Sequence, residues 1–151
     1  MTQSAVAGHG PLTVPDYCPA IEFNTGFALA ALLCLITFGV HTFVGGKYAA
    51  RPLLAADGFD KASRWLNYFT WHMATAVVLV MAAGFAWAAF VPNAVEAAVL
   101  CMVLAAVFSP LCVWIALRGG IKPWRFPASW LFLLILGAGL WGWGSGCRWT
   151  F

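Results

Sequence analysis

Residues 65–95 read WLNYFTWHMATAVVLVMAAGFAWAAFVPNAV and contain no Asp, Glu, Lys or Arg. A helix needs roughly 20 apolar residues to cross the hydrocarbon core of a bilayer, and this stretch exceeds that length. Three more uncharged runs, at residues 24–46, 97–117 and 126–147, are also long enough. Because short segments connect successive runs, the pattern predicts an all-α, polytopic membrane protein built as an antiparallel four-helix transmembrane bundle.

The composition of the chain excludes a water-soluble globular protein. Of the 151 residues, 63% are hydrophobic and 9% are charged, whereas about a quarter of the residues in soluble domains are charged. The uncharged runs also lack the alternation of polar and apolar residues that is typical of membrane β-barrels. We expect residues 1–151 to form a single transmembrane domain, with spans at about 24–46, 66–91, 95–117 and 127–147 and cytoplasmic loops at 47–65 and 118–126.

The basic residues predict the orientation of the chain. Seven of the eight lie between spans one and two or between spans three and four: Lys47, Arg51, Lys61, Arg64, Arg118, Lys122 and Arg125. Because loops rich in Lys and Arg stay on the cytoplasmic side, both termini are expected outside, which in a bacterial inner membrane means the periplasm. The net charge of +3 is scattered over the loops, so nucleic acid is not an expected partner.

Local residue preferences predict where the helices begin and end. Gly45-Gly46 is expected to cap the first helix, and Gly119-Gly120 the third. Between the first two spans, residues 52–56 form a short apolar segment that we expect at the membrane surface, and Asp60 is expected to cap the second helix.

Within the four uncharged runs, His41 and His72 are the only side chains whose ordinary pKa lies near neutral pH. At 1.5 Å per residue, His41 lies about 9 Å from Lys47 and His72 about 12 Å from Arg64. The two imidazoles are therefore expected at similar depth on neighbouring helices. Ionisable groups inside a membrane usually face the protein interior and are the first candidates for a functional site.

Several roles remain open for this pair. His41 and His72 could be the axial ligands of a b-type haem, with Arg51 near a haem propionate; they could also hold another metal, bind a quinone or transfer protons. In the structural alternative, they hydrogen-bond each other, Thr37, Tyr68 or a backbone carbonyl. A transition metal is less expected than haem because metal sites usually have three or four ligands. No catalytic motif is present.

The five cysteines contain no CxxC pair, so a thioredoxin-like redox motif is not expected. Cys34, Cys101 and Cys112 lie in predicted spans, where packing is the usual role of a cysteine. Cys18 and Cys147 flank the bundle on its predicted outer face, where an oxidising compartment would permit a disulfide between them.

Two stretches of the chain, HTFVGGKYAARPLL at residues 41–54 and YFTWH at residues 68–72, are its most distinctive segments. They resemble segments of small uncharacterised bacterial four-helix inner-membrane proteins, in which His-x-Phe-x-Gly-Gly precedes Arg-Pro-Leu-Leu and a Trp-His pair opens the second helix. The resemblance covers roughly the first two-thirds of the chain and implies a fold and a location, but no activity. The matching positions are His41, Gly45, Gly46, Arg51, Pro52, Trp71 and His72.

The sequence thus predicts an integral membrane protein without enzymatic chemistry of its own. Its expected role is an accessory or assembly subunit, in contact with the lipid bilayer and with other membrane-protein subunits or further copies of itself. One alternative is an electron-transfer subunit that binds haem b through His41 and His72. Another is a small oligomeric transporter or channel. In that case polar side chains on one face of each helix, such as Thr37 and His41 or Tyr68 and His72, would line a path.

Overall fold

The structure is a computed structural model that describes residues 23–91 and 94–145, and within these residues it is helical without β-strands. The elements are α1 (Thr25–Gly39), a π-helical segment (Val40–Ala50), α2 (Arg51–Ala55), α3 (Lys61–Phe90), α4 (Val95–Arg118), a 3-10 turn (Pro123–Arg125) and α5 (Ala128–Ser145). Four helical stretches are long and apolar enough to cross a membrane: Thr25–Ala55, Lys61–Phe90, Val95–Arg118 and Ala128–Ser145. The prediction of an all-α chain with four membrane-length helices is confirmed.

The hydrophobic core draws on all four long helices. Its largest fully buried side chains are Cys34 from α1, Met81 and Phe85 from α3, and Ile135 from α5. Helix α4 contributes small residues such as the fully buried Ala105. Side chains of this size let helix backbones approach closely, which favours association of helices that already lie in an apolar solvent.

Asn24 links the start of α1 to the ends of α3 and α5 through hydrogen bonds. Its backbone N–H donates to the Ala89 carbonyl at 3.0 Å, and its side-chain Nδ2 donates to the Gly142 carbonyl at 2.8 Å. Its Oδ1 accepts from the Phe27 amide at 3.0 Å, which caps α1. Beside it, α1 and α5 approach so closely that a Cβ on Gly26 would overlap the backbone of Gly142.

Two of the predicted helix ends are confirmed. Asp60 caps α3, because its side-chain Oδ1 accepts from the Ser63 amide at 3.0 Å. Gly119 is the C-cap of α4, and Gly120 follows with φ of 66°, a left-handed conformation that glycine adopts without steric penalty. The predicted apolar segment at 52–56 falls mostly within α2, which is the end of the first long helical stretch.

The predicted end of the first helix at Gly45-Gly46 is wrong. The helix continues through the π-helical segment Val40–Ala50 and α2 to Ala55, and α3 already begins at Lys61. The predicted loop at 47–65 is therefore reduced to residues 56–60. Neither glycine adopts positive φ; continuing the helix instead pairs the backbone groups, which would be expensive to leave unpaired in apolar surroundings.

Candidate functional site

A cavity of about 280 Å³ lies between the π-helical segment and the first turns of α3. The π-helical segment and α2 together line it with residues at four-residue spacing, Thr42, Gly46, Ala50 and Leu54, and beside them Phe43, Lys47 and Arg51. Helix α3 contributes Tyr68, Trp71 and His72. π-Helical turns are rare and often occur at functional sites, so this segment is the first place to look for binding.

Trp71 forms one wall of the cavity, and the ring of His41 packs against its indole. The two rings stack with centroids 4.0 Å apart and an interplanar angle of 16°. The Nε2 of His41 lies 3.3 Å from the Trp71 carbonyl oxygen, which also accepts from the Thr75 hydroxyl at 3.1 Å. Gly45 makes room for the indole, because a Cβ there would lie 2.6 Å from Trp71 Cη2. This geometry agrees with the structural interpretation of His41.

His41 contacts Trp71, the neighbour of His72 in the sequence, so the two histidines lie at a similar height along the helices. Their environments nevertheless differ. His72 is exposed and lines the cavity, whereas His41 is half-buried and does not. The His72 ring contacts Tyr68 edge-on, with centroids 4.5 Å apart and an angle of 87°. The two residues are four positions apart in the sequence, the spacing at which side chains on one helix are neighbours.

The candidate haem ligands are therefore directed to different partners. Iron ligation by His41 Nε2 would require the loss of its contact with the Trp71 carbonyl, since a nitrogen that donates its hydrogen has no lone pair for a metal. Arg51 shares the cavity with His72. Among the described residues, no three His, Cys, Asp or Glu side chains are grouped closely enough to hold a metal ion.

The charge of the cavity wall is positive. Lys47 and Arg51 line it, and within the described part of the chain no Asp or Glu does. Arg64, which lies on the same helix as Tyr68 and His72, does not line it: its Nη2 donates to the Ala56 carbonyl at 2.6 Å. The carboxylate of the exposed Asp60 is paired with Ser63 and not with these cations. Hydrogen bonds from the hydroxyl and amide of Ser63 hold the pKa of this carboxyl below its usual value.

Thr42 brings an unsatisfied polar atom to the same wall. Its Oγ1 is buried and has no hydrogen-bond partner among the residues that the structure describes. A buried hydroxyl without a partner is destabilising by about 1–3 kcal/mol. Sequence reasoning did not single out Thr42, although its four-residue spacing from Gly46 could have placed it beside Lys47 and Arg51.

A second feature of α3 is an exposed polar stripe formed by Asn67, Thr70 and Ala74. All of its buried residues lie between Val78 and Ala89, and residues 61–77 include none. Asn67, Thr70 and Ala74 continue the helix face of the buried Val78 at spacings of three and four residues, yet all three are exposed. Asn67 and Thr70 donate their side-chain hydrogens to their own helix, at 2.8 and 3.0 Å.

The cysteines offer no further reactive group among the described residues. Cys34 and Cys101 are buried and Cys112 is partly buried. The thiol of Cys101 donates to the Met81 carbonyl at 3.6 Å, which makes it part of the contact between α3 and α4. The predicted pair Cys18 and Cys147 lies outside the described residues.

Comparisons with known proteins add no relative: no family model matches the sequence, and no curated protein or solved structure shows significant similarity to it. The function is therefore inferred from the two features of α3 described above, the cavity and the uncovered polar stripe.

Proposed function

We propose that the chain is a subunit of a larger membrane complex and has no enzymatic chemistry of its own. In this proposal the four long helices insert as an antiparallel bundle into a bacterial inner membrane. The end that carries Lys47, Arg51, Lys61, Arg64, Arg118, Lys122 and Arg125 faces the cytoplasm, and both termini face the periplasm. The lengths of the apolar helices support the insertion, and the clustering of Lys and Arg around the first and third connections between the long helices supports this orientation.

The observation that carries the proposal is the uncovered polar stripe of α3, formed by Asn67, Thr70 and Ala74. These residues lie on the face that forms the core further along the helix, but here no other part of the described chain covers them. In a single copy of the protein this face of α3 would therefore be covered by lipid instead of by another helix.

A transmembrane helix of another subunit fits this surface. Ala74 and Thr70 are small enough for close backbone approach, and the side chain of Asn67 has hydrogen-bonding capacity beyond its single bond to the Ser63 carbonyl. An interhelical hydrogen bond within a membrane contributes about 0.6 kcal/mol on average. Several such bonds, together with the packing, would stabilise a specific complex.

The proposal is tested by placing a bulky side chain on the stripe. Ala74→Trp is exposed in the single chain, so folding should be retained while the partner helix is excluded. The matched control is Val80→Trp, at a position of the same helix that is 68% exposed and lies outside the stripe. We expect complexes purified from native membranes in mild detergent to lose their additional subunit with Ala74→Trp and to keep it with Val80→Trp.

Two results would contradict this proposal. One is a complex of unchanged mass with Ala74→Trp, and the other is a wild-type protein that is a single chain in native membranes. A mass equal to a multiple of this chain would identify further copies as the partner instead of a different subunit.

The alternatives receive less support from the geometry. Haem ligation through Nε2 of His41 would require that nitrogen to leave its contact with the Trp71 carbonyl. A transport path within one chain would need polar side chains through its core, but among the described residues the buried polar side chains are Thr37, Ser109 and Ser129. Of these, Thr37 already donates to the Leu33 carbonyl at 2.7 Å.

A further inference from the structure

The cavity between the π-helical segment and α3 has no role in the proposed docking of a partner helix. We propose that it binds the phosphate headgroup of one anionic phospholipid. The lipid would come from the leaflet at the basic end of the bundle. This inference rests on the proposed membrane location, but it does not depend on the partner subunit.

The charges of the cavity select an anion. Lys47 and Arg51 lie four residues apart on one side of it, and no acidic residue among the described ones shares its wall. A guanidinium forms two parallel hydrogen bonds to a phosphate, and an ammonium adds a strong point charge. Arg64 does not line this cavity, and its Nη2 donates to the Ala56 carbonyl.

Uncharged donors lie around these cations. Tyr68 and His72 line the cavity from α3, and Thr42 lines it from the π-helical segment. A phosphodiester offers several acceptor oxygens, and a glycerol headgroup adds hydroxyls. Such a ligand would use donors that the protein itself leaves free in this part of the structure.

The apolar part of the wall favours a lipid over a free anion. Phe43, Leu54 and Trp71 line the same cavity, and the Phe43 side chain is 75% exposed. Inorganic phosphate would gain nothing from these surfaces, whereas an acyl chain can lie along them. The stacking of His41 on Trp71 at 4.0 Å fixes this wall in advance, which reduces the entropy lost on binding.

The first test compares matched charge removals. Short-chain phosphatidylglycerol and phosphatidylcholine are titrated into the full chain in mild detergent, and bound lipid is counted by native mass spectrometry. We expect one phosphatidylglycerol per chain and at least tenfold weaker binding of phosphatidylcholine. With about a fivefold loss for each cation, the double variant Lys47→Gln/Arg51→Gln should bind phosphatidylglycerol about 25-fold more weakly.

The control removes the same two residue types at the same end of the molecule. Lys122→Gln/Arg125→Gln leaves the cavity wall intact, so its affinity should stay within twofold of wild type. Equal losses in the two double variants would show attraction by the general charge of this end and would overturn the site. Displacement of the lipid by millimolar inorganic phosphate would overturn the assignment to a lipid.

A second test changes the shape of the cavity and keeps every charge. A Cβ on Gly46 would meet nothing within 4 Å, so Gly46→Leu should fold and fill the cavity that Gly46 lines. Gly39 also has open space around its Cβ and lies outside the cavity, which makes Gly39→Leu the matched control. Loss of the bound lipid with Gly46→Leu alone is expected; retention of it in both variants would overturn the proposal.

Discussion

Replacing Gly26 with Ala should destabilise the contact between α1 and α5. The new Cβ would overlap the Cα and N of Gly142, and backbone atoms cannot rotate away as the end of a flexible side chain can. The two helices would have to separate. That movement would also stretch the hydrogen bond from Asn24 Nδ2 to the Gly142 carbonyl, which is 2.8 Å long.

The expected magnitude follows from three contributions. Overpacking of a tight contact destabilises by about 1–3 kcal/mol, and weakening one interhelical hydrogen bond in a membrane adds about 0.6 kcal/mol. The higher helix propensity of alanine offsets up to about 1 kcal/mol. We therefore expect Gly26→Ala to lower the free energy of unfolding by about 1–3 kcal/mol.

Gly137 provides a control within the same pair of helices. It lies in α5, and a Cβ there would meet nothing within 4 Å, so Gly137→Ala should keep or raise the stability by up to about 1 kcal/mol. Unfolding of both variants by sodium dodecyl sulfate in mixed micelles, followed by far-ultraviolet circular dichroism, measures the difference. If Gly26→Ala proved as stable as Gly137→Ala, the close approach of α1 and α5 would be refuted.

Three other predictions concern single positions. The carboxyl of Asp60 has its pKa lowered by hydrogen bonds from Ser63, so its cap on α3 should be complete above about pH 4 and lost as the pH falls through the folded pKa; hydrogen exchange at residues 61–64 should show this, and Asp60→Asn should remove the pH dependence. Gly84→Ala places a Cβ 2.7 Å from Cys101 Sγ and should destabilise by about 1–3 kcal/mol, an effect that Cys101→Ala should reduce in a double-mutant cycle. Because His41 is engaged with the carbonyl and ring of Trp71 while His72 is exposed and packs against Tyr68, we expect no Soret band in the absorption spectrum of protein from a haem-replete host, and a stoichiometric band that His41→Ala abolishes would restore the haem hypothesis.

The sequence predicted the site only in part. It singled out His41, His72 and Arg51, and the structure brings His72 and Arg51 to one cavity. The contact of His41 with the Trp71 carbonyl was one of several structural alternatives, and spacing along one helix could not choose between them. The partner lies on another helix, so the relative rotation of the two helices had to be known.

The sequence by itself determined the features that depend on neighbouring residues. Uncharged runs of sufficient length gave four membrane-length helices, and the caps at Asp60 and Gly119 follow from bonds within one turn. Only the tertiary structure decided how far the first helix extends. Gly45 has the same local preference for ending a helix as Gly119, but it lies against the ring of Trp71.

The exposure of the polar stripe on α3 was also decided by the tertiary structure. The polarity of Asn67 and Thr70 is visible in the sequence, but their exposure depends on where the other helices run. The core covers α3 from Val78 onward and leaves residues 61–77 without a buried position. A helix has the same internal hydrogen bonds whether or not a neighbour covers it, so local preferences contain no information about that cover, and only the packing of the four helices supplies it.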